Sequence, residues 1–217
     1  EQLTILQKRF EQFAPLADYT RVVRAETVFQ MDAWDRLRSV ISGDRSHSHG
    51  YDRRRRILKP FYPVGRTYYH EMDVFRFYQE KLAPVIDADE QRVFLEKNHE
   101  LEKALAATDA FTDNRNMRWT FNGFALETAR LQTALDQARL ACALERYRLA
   151  QSEYPERLDA LAPGFIDATP HDIVTGEPLG YKRTEDGRFV LYSVGANEKD
   201  HGGVARNELD WVWRYPD

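Results

Sequence analysis

The chain has 217 residues, 42% of them hydrophobic and 12% aromatic, so it carries enough apolar surface to bury a core and is not disordered throughout. Its 31 basic and 35 acidic residues leave a formal charge of -4, which argues against a dedicated nucleic-acid binder, a class that normally carries a large positive field. No run of about 18 apolar residues occurs, so no segment reads as a membrane-spanning helix.

At the N-terminus no charged-then-apolar leader precedes the first helical pattern. The chain opens on Glu1 without a methionine, which suggests a processed or truncated protein and is compatible with a leader or membrane anchor upstream. Val22, Ala25, Phe29, Ala33, Leu37 and Val40 recur at steps of three and four, which predicts a helix with that row on its inner face, ending near Ser42 and Gly43. Residues 43–65 read GDRSHSHGYDRRRRILKPFYPVG, whose glycines, prolines and charges predict an irregular connection. Tyr68, Met72, Phe75, Tyr78 and Leu82 mark a second helix, stopped by Pro84. Asp87 or Asp89 is placed to cap a third, with Phe94, Leu101 and Leu105 inside. The pattern breaks again from Phe111 to Trp119.

The longest helical signal covers 121–152, where Phe124, Thr128, Leu131, Leu135, Ala138 and Cys142 form a packing seam. A second stripe, Leu140, Leu144 and Tyr147, drifts around this helix and predicts a hand-over from one packing partner to another. Cys142, the single cysteine, lies between Ala141 and Ala143 in this pattern, so no intrachain disulfide forms and a buried structural thiol is expected. Pro155 suits the first position of a short helix that follows. Beyond it, Leu179, Tyr181 and Arg183 alternate opposite Phe189, Leu191 and Ser193 across the turn Glu185-Asp186-Gly187-Arg188, a strong hairpin signal. Trp211 and Trp213, or Val212 alone, fill the inner face of a third strand.

Local chemistry is sparse. His47 and His49, with Asp44 and Asp52 near them, have the spacing of a small metal clip, but in a polar loop they read as solvated. His70-Glu71 and His99-Glu100 lack the second histidine of a zinc-protease helix, since Val74 and Lys103 stand four residues after the first. The run Arg53, Arg54, Arg55, Arg56 beside Lys59 is the densest charge and a candidate site for phosphate, anionic lipid or an acidic partner. No nucleotide-binding loop or nucleophile elbow is spelled out.

The order of parts from Ala143 to Gly203 carries a resemblance. A long helix ends in Tyr154-Pro155, a short helix spans 157–161, a turn at Gly176 leads to an aromatic strand, and Leu191-Tyr192-Ser193-Val194-Gly195 ends the next strand before a polar loop with Gly202-Gly203. This resembles the C-terminal domain of the major pseudopilins of type II secretion, and is similar to domains of uncharacterised envelope proteins of planctomycetes and verrucomicrobia. The resemblance implies a periplasmic or envelope setting and calcium in the loop, where a hard cation needs several oxygens. Asn197, Asp200 and Asp210 are then the candidate ligands, with Glu198, Asn207 and Glu208 as further oxygens. Asn197 and His201 stand where family members often carry acids, and Lys199 adds positive charge. A pseudopilin begins with an apolar assembly helix, whereas about 120 residues precede the long helix here, which argues against a fibre-forming major subunit.

The expected architecture is α+β: an all-α region over 1–120 and a pseudopilin-like module over 121–217, with its long helix at 121–152 and its sheet at 178–214. The expected function is that of a non-enzymatic envelope protein acting in interaction or assembly with a protein partner, without nucleic acid. Two alternatives stand beside it. One is a hydrolase-type enzyme with a cleft between the helices and the sheet, drawing on His70, Glu71 and His99. The other is a module that binds anionic partners through Arg53 to Arg56.

Overall fold

The computed structural model describes residues 1–42, 64–107, 123–205 and 209–213. It is an α+β protein. Helix α1 spans Gln2–Phe10 and α2 spans Pro15–Ser42, whose first position suits Pro15 because the missing N–H there needs no partner. Helix α3, Val64–Phe77, runs into a π-helical turn at Tyr78–Leu82 and a 3-10 turn at Ala83–Val85 that holds Pro84. Strands β1 (Ile86–Asp87) and β2 (Arg92–Val93) form a small antiparallel ladder ahead of α4, Leu95–Ala107. Helix α5, Phe124–Gln151, ends on Ser152 in the left-handed conformation, whose N–H returns to the Arg148 carbonyl at 2.8 Å.

Two apolar clusters hold the chain, and α5 passes through both. The first gathers Leu16, Tyr19 and Val23 of α2, Val74 of α3, Tyr78 and Leu82 of the π turn, Leu101 and Leu105 of α4, and Ala125 and Ala129 of α5. The second joins Leu140, Ala143 and Leu144 of α5 to Leu158, Leu161, Ile166, Leu179, Phe189 and Leu191. The drifting stripe on α5 thus has a structural counterpart. Ile173 and Val174 also enter the first cluster, and Trp211 packs against it, so the helical region and the C-terminal module share a core. Helix α1 packs along α5 as well, where Arg146 donates to Gln7 Oε1 at 3.0 Å and to the Phe165 carbonyl at 2.8 Å. Cys142 is buried as expected, and burial pushes its thiol up.

Several predicted faces differ. On α2 the buried row is Leu16, Tyr19, Val23 and Thr27, while Val22 and Phe29 face outward. Tyr19 wins its place because its ring stacks on Phe124, centroids 5.3 Å apart, and its hydroxyl donates to the Leu82 carbonyl at 3.0 Å. On α3, Tyr68, Met72 and Phe75 are exposed, and only Tyr78 and Leu82 of that stripe are buried. Leu131 of the α5 seam is exposed too, and Gln132, Thr133, Asp136 and Gln137 take the inner face between the two clusters. Asp87 caps no helix: its Oδ1 accepts the N–H groups of Asp89 (3.0 Å) and Glu90 (2.9 Å), closing the β1–β2 turn. Pro155 lies outside the 3-10 turn Leu158–Leu161, and its carbonyl instead accepts the Tyr181 hydroxyl at 2.8 Å.

The C-terminal sheet has the order β3-β4-β5, with β3 at Gly180–Arg183, β4 at Phe189–Ser193 and β5 at Trp211–Val212. Tyr181 pairs with Leu191 and Arg183 with Phe189, the register read from alternation. Gly187, at φ 77°, supplies the left-handed residue that the hairpin turn needs.

Candidate functional site

The polar loop after β4 is built around one carboxylate. Asp210 is 3% exposed. Its Oδ2 accepts the N–H of Gly203 at 2.7 Å and of Val204 at 3.1 Å, and its Oδ1 accepts the N–H of His201 at 3.3 Å. The His201 ring adds Nδ1 at 3.2 Å from Oδ1. Gly202 and Gly203 sit at φ 72° and 80°, a conformation that turns successive N–H groups toward one point and makes a nest for an anion. Earlier in the loop, Asn197 Oδ1 accepts the Lys199 N–H at 3.0 Å and Asp200 Oδ1 accepts the Gly202 N–H at 2.7 Å.

Each residue predicted to hold calcium therefore already accepts N–H groups. At Asp210 three backbone N–H groups and the His201 ring nitrogen lie against the two oxygens, so this carboxylate orders the loop as folded. Asn207 and Glu208, the further oxygens expected in this loop, lie outside the described residues. Among the described residues no group of three or more His, Cys, Asp or Glu side chains is arranged to hold a metal.

A second carboxylate with the same role escapes the sequence reading. Asp172 is buried, its Oδ1 accepts the Val174 N–H at 2.9 Å, and its Oδ2 accepts the Val194 N–H, also at 2.9 Å. It fastens the turn before β3 to the end of β4. The available signal was Asp172 four residues ahead of Gly176, a turn signature whose closing bond is Gly176 N–H to the Asp172 carbonyl at 2.7 Å. Between the two clamps stands Tyr192, whose ring covers Gly180 opposite it and lies against Gly203. Burial, then the carboxylate of Asp200 bonded to it, push its hydroxyl up to about 12.

The other predicted residues are less informative. Arg53, Arg54, Arg55 and Arg56, with His47, His49, Asp44 and Asp52, lie outside the described residues. So do the side chains of His70 and Glu71 on α3. His99 Nδ1 lies 2.9 Å from the Leu95 carbonyl one turn back. A cavity of about 510 Å³ opens between α2, the β1–β2 turn and α4, lined by Tyr19, Arg24, Asp87, Phe94 and Lys97 among others. It is separate from the C-terminal sheet, and His99 does not line it.

Exposed apolar side chains concentrate on the paired helices α2 and α3. Phe29 is 58% exposed and Tyr69 76%, and Val22, Val28, Tyr68, Met72 and Phe75 accompany them. Helix α3 packs along α2, so these residues belong to one helical arm. No helix among the described residues is long and apolar enough to cross a membrane. No family model, curated protein or solved structure matches this chain.

Proposed function

We propose that this chain is a non-enzymatic extracytoplasmic or envelope protein that acts by binding a protein partner along the arm formed by α2 and α3. The observation that carries the reading is the exposure of Phe29, Tyr68, Tyr69 and Met72 on two packed helices whose opposite faces fill the core. Exposed aromatic and Met side chains gathered in one region mark protein interfaces, because their burial against a partner removes large apolar surface from water. The C-terminal module supplies the rigid base: α5, the Tyr154-Pro155 corner, the β3–β4 hairpin and the Asp210-clamped loop follow the order that suggested a pseudopilin-like unit. That resemblance is what supports the envelope setting.

The test is site-specific photo-cross-linking in cells that make the protein. Photoreactive phenylalanine analogues replace Tyr69 or Phe29 in turn, with Glu185 on the exposed hairpin turn as the control position. The reading expects a discrete protein adduct from positions 29 and 69 and none from 185, with the chain fractionating with the envelope. A dimer-sized adduct would assign the surface to assembly of the chain with itself. No adduct at either arm position would overturn the reading.

A further inference from the structure

The outer face of α2 carries a charge pattern that is its own complement. Arg21, Arg24, Val28, Asp32 and Asp35 follow one another at steps of three, four, four and three residues, which puts all five along one side of the helix. All five are exposed, Val28 at 66%, and the buried row Leu16, Tyr19, Val23 and Thr27 occupies a different side. The spacing reads the same in both directions from Val28, and the charge changes sign across it. Within one chain these charges are loosely held. Arg21 pairs with Asp18 at 2.9 Å and Asp32 with Arg36 at 2.6 Å, but all four side chains are more than half exposed, where such pairs add little and exchange readily. Arg24 forms no ion pair among the described residues. At this basic end Lys97 joins Arg21 and Arg24 around the cavity of about 510 Å³, where of the two lining acids Asp87 is engaged by its own turn and Asp89 remains.

Turning this face end for end brings opposite charges together. When a second α2 runs antiparallel with its Val28 on the first, Arg21 stands opposite Asp35 and Arg24 opposite Asp32, and the two-fold axis repeats both pairs. A parallel alignment sets Arg on Arg and Asp on Asp instead. We propose that the partner of the arm is a second copy of this chain, docked antiparallel through α2 about a two-fold axis at Val28. The inference rests on the reading of the arm as a protein-binding surface and names its occupant. Phe29 lies next to Val28, and α3 alongside brings Tyr68, Tyr69, Met72 and Phe75, so the charges set the orientation while these side chains supply apolar area.

Sedimentation equilibrium of the full chain, from about 1 to about 200 µM, reads the self-association directly. The expected mass climbs from one chain of 25.4 kDa toward two. Reversing the basic half, Arg21→Asp with Arg24→Asp, should weaken association by about tenfold or more, and so should Asp32→Arg with Asp35→Arg, because each face then meets its own charge. An equimolar mixture of the two variants should associate again, acidic face on basic face. The register is checked separately: in a Cys142→Ala background Val28→Cys should join to itself through a short bis-maleimide, whereas Arg21→Cys, about 21 Å from its symmetry mate, should not. These single-site variants decide the matter if the charge-reversed chains do not fold. A parent that stays a single chain at about 200 µM would overturn the proposal. If the arm then cross-links to a different protein in cells, the protein-partner reading stands without it. Folded reversed variants that associate as the parent does, a mixture that fails to recover, or an Arg21→Cys chain that links as readily as Val28→Cys would overturn it as well.

Discussion

Asp210 and Asp136 are both buried carboxylates on or near α5, and their surroundings give them opposite consequences. Asp210 receives N–H groups from His201, Gly203 and Val204, so it orders the loop that joins β4 to β5. Hydrogen bonds to a charged group are worth about 1.5–3 kcal/mol each, and Asp210→Asn turns a donor toward donors. We expect that variant to lose about 3 kcal/mol in urea unfolding, and the parent midpoint to be unmoved by excess calcium. A saturable calcium-induced rise would restore a cation to the loop. Asp136 is different: burial raises its pKa, only partly offset by the Gln132 amide at 2.9 Å and Arg139 at 3.0 Å. Its folded form holds a proton more tightly than the unfolded chain does. Its contribution is therefore fully present below the unfolded carboxylate range, near about 4, and is lost as pH rises through the higher folded value. Asp136→Asn, measured by thermal unfolding, should melt above the parent at pH 8, the gap closing as pH falls toward about 4. A variant that melts lower at pH 8 would mean that the Arg139 pair outweighs the burial cost.

At the scale of elements, legibility followed how local the deciding contacts are. The β3–β4 hairpin could be read because its turn and its alternation lie within fourteen consecutive residues, and Tyr181 does stand opposite Leu191. Helix faces were harder. Periodicity reveals that α2 carries an apolar row, but two rows exist, and only the partner at Phe124 and Leu82 decides that Tyr19 and Val23 go inside. The two-residue strands β1 and β2 are too short to leave a pattern, and Asp87 looks the same in sequence whether it caps a helix or a turn. The loop was recognisable as a special feature, but its role was not. The N–H groups that surround Asp210 come from backbone turned by Gly202 and Gly203, and Asp172 reaches Val194 from 22 residues away. Gly180 shows what such packing demands. A Cβ there would lie 2.3 Å from the Tyr192 ring, so Gly180→Ala must push that ring off the sheet and its bond to Asp200. Overpacking of this kind costs about 1–3 kcal/mol. Calorimetry should find that loss in Gly180→Ala, and a double change with Tyr192→Leu should be less than additive. Full additivity would show that the ring is not what the glycine makes room for.

Across the whole molecule, α5 ties a helical region and a small sheet into one body, with apolar contacts at both ends and a polar belt of Gln132, Thr133, Asp136 and Gln137 between them. The arm of α2 and α3 contributes one face to that body and leaves Phe29, Tyr69 and Met72 outside it. The central claim is that these side chains are surplus to folding and serve a partner. It is tested most directly by urea unfolding of the isolated triple variant Phe29→Ser, Tyr69→Ser, Met72→Ser. Surface substitutions of this kind move stability by about 0.5 kcal/mol or less each, so the midpoint should stay near the parent's, while Val23→Ala in the core falls clearly below it. A triple variant that loses as much as the core variant would contradict the account, since the row would then be part of the protein's own interior.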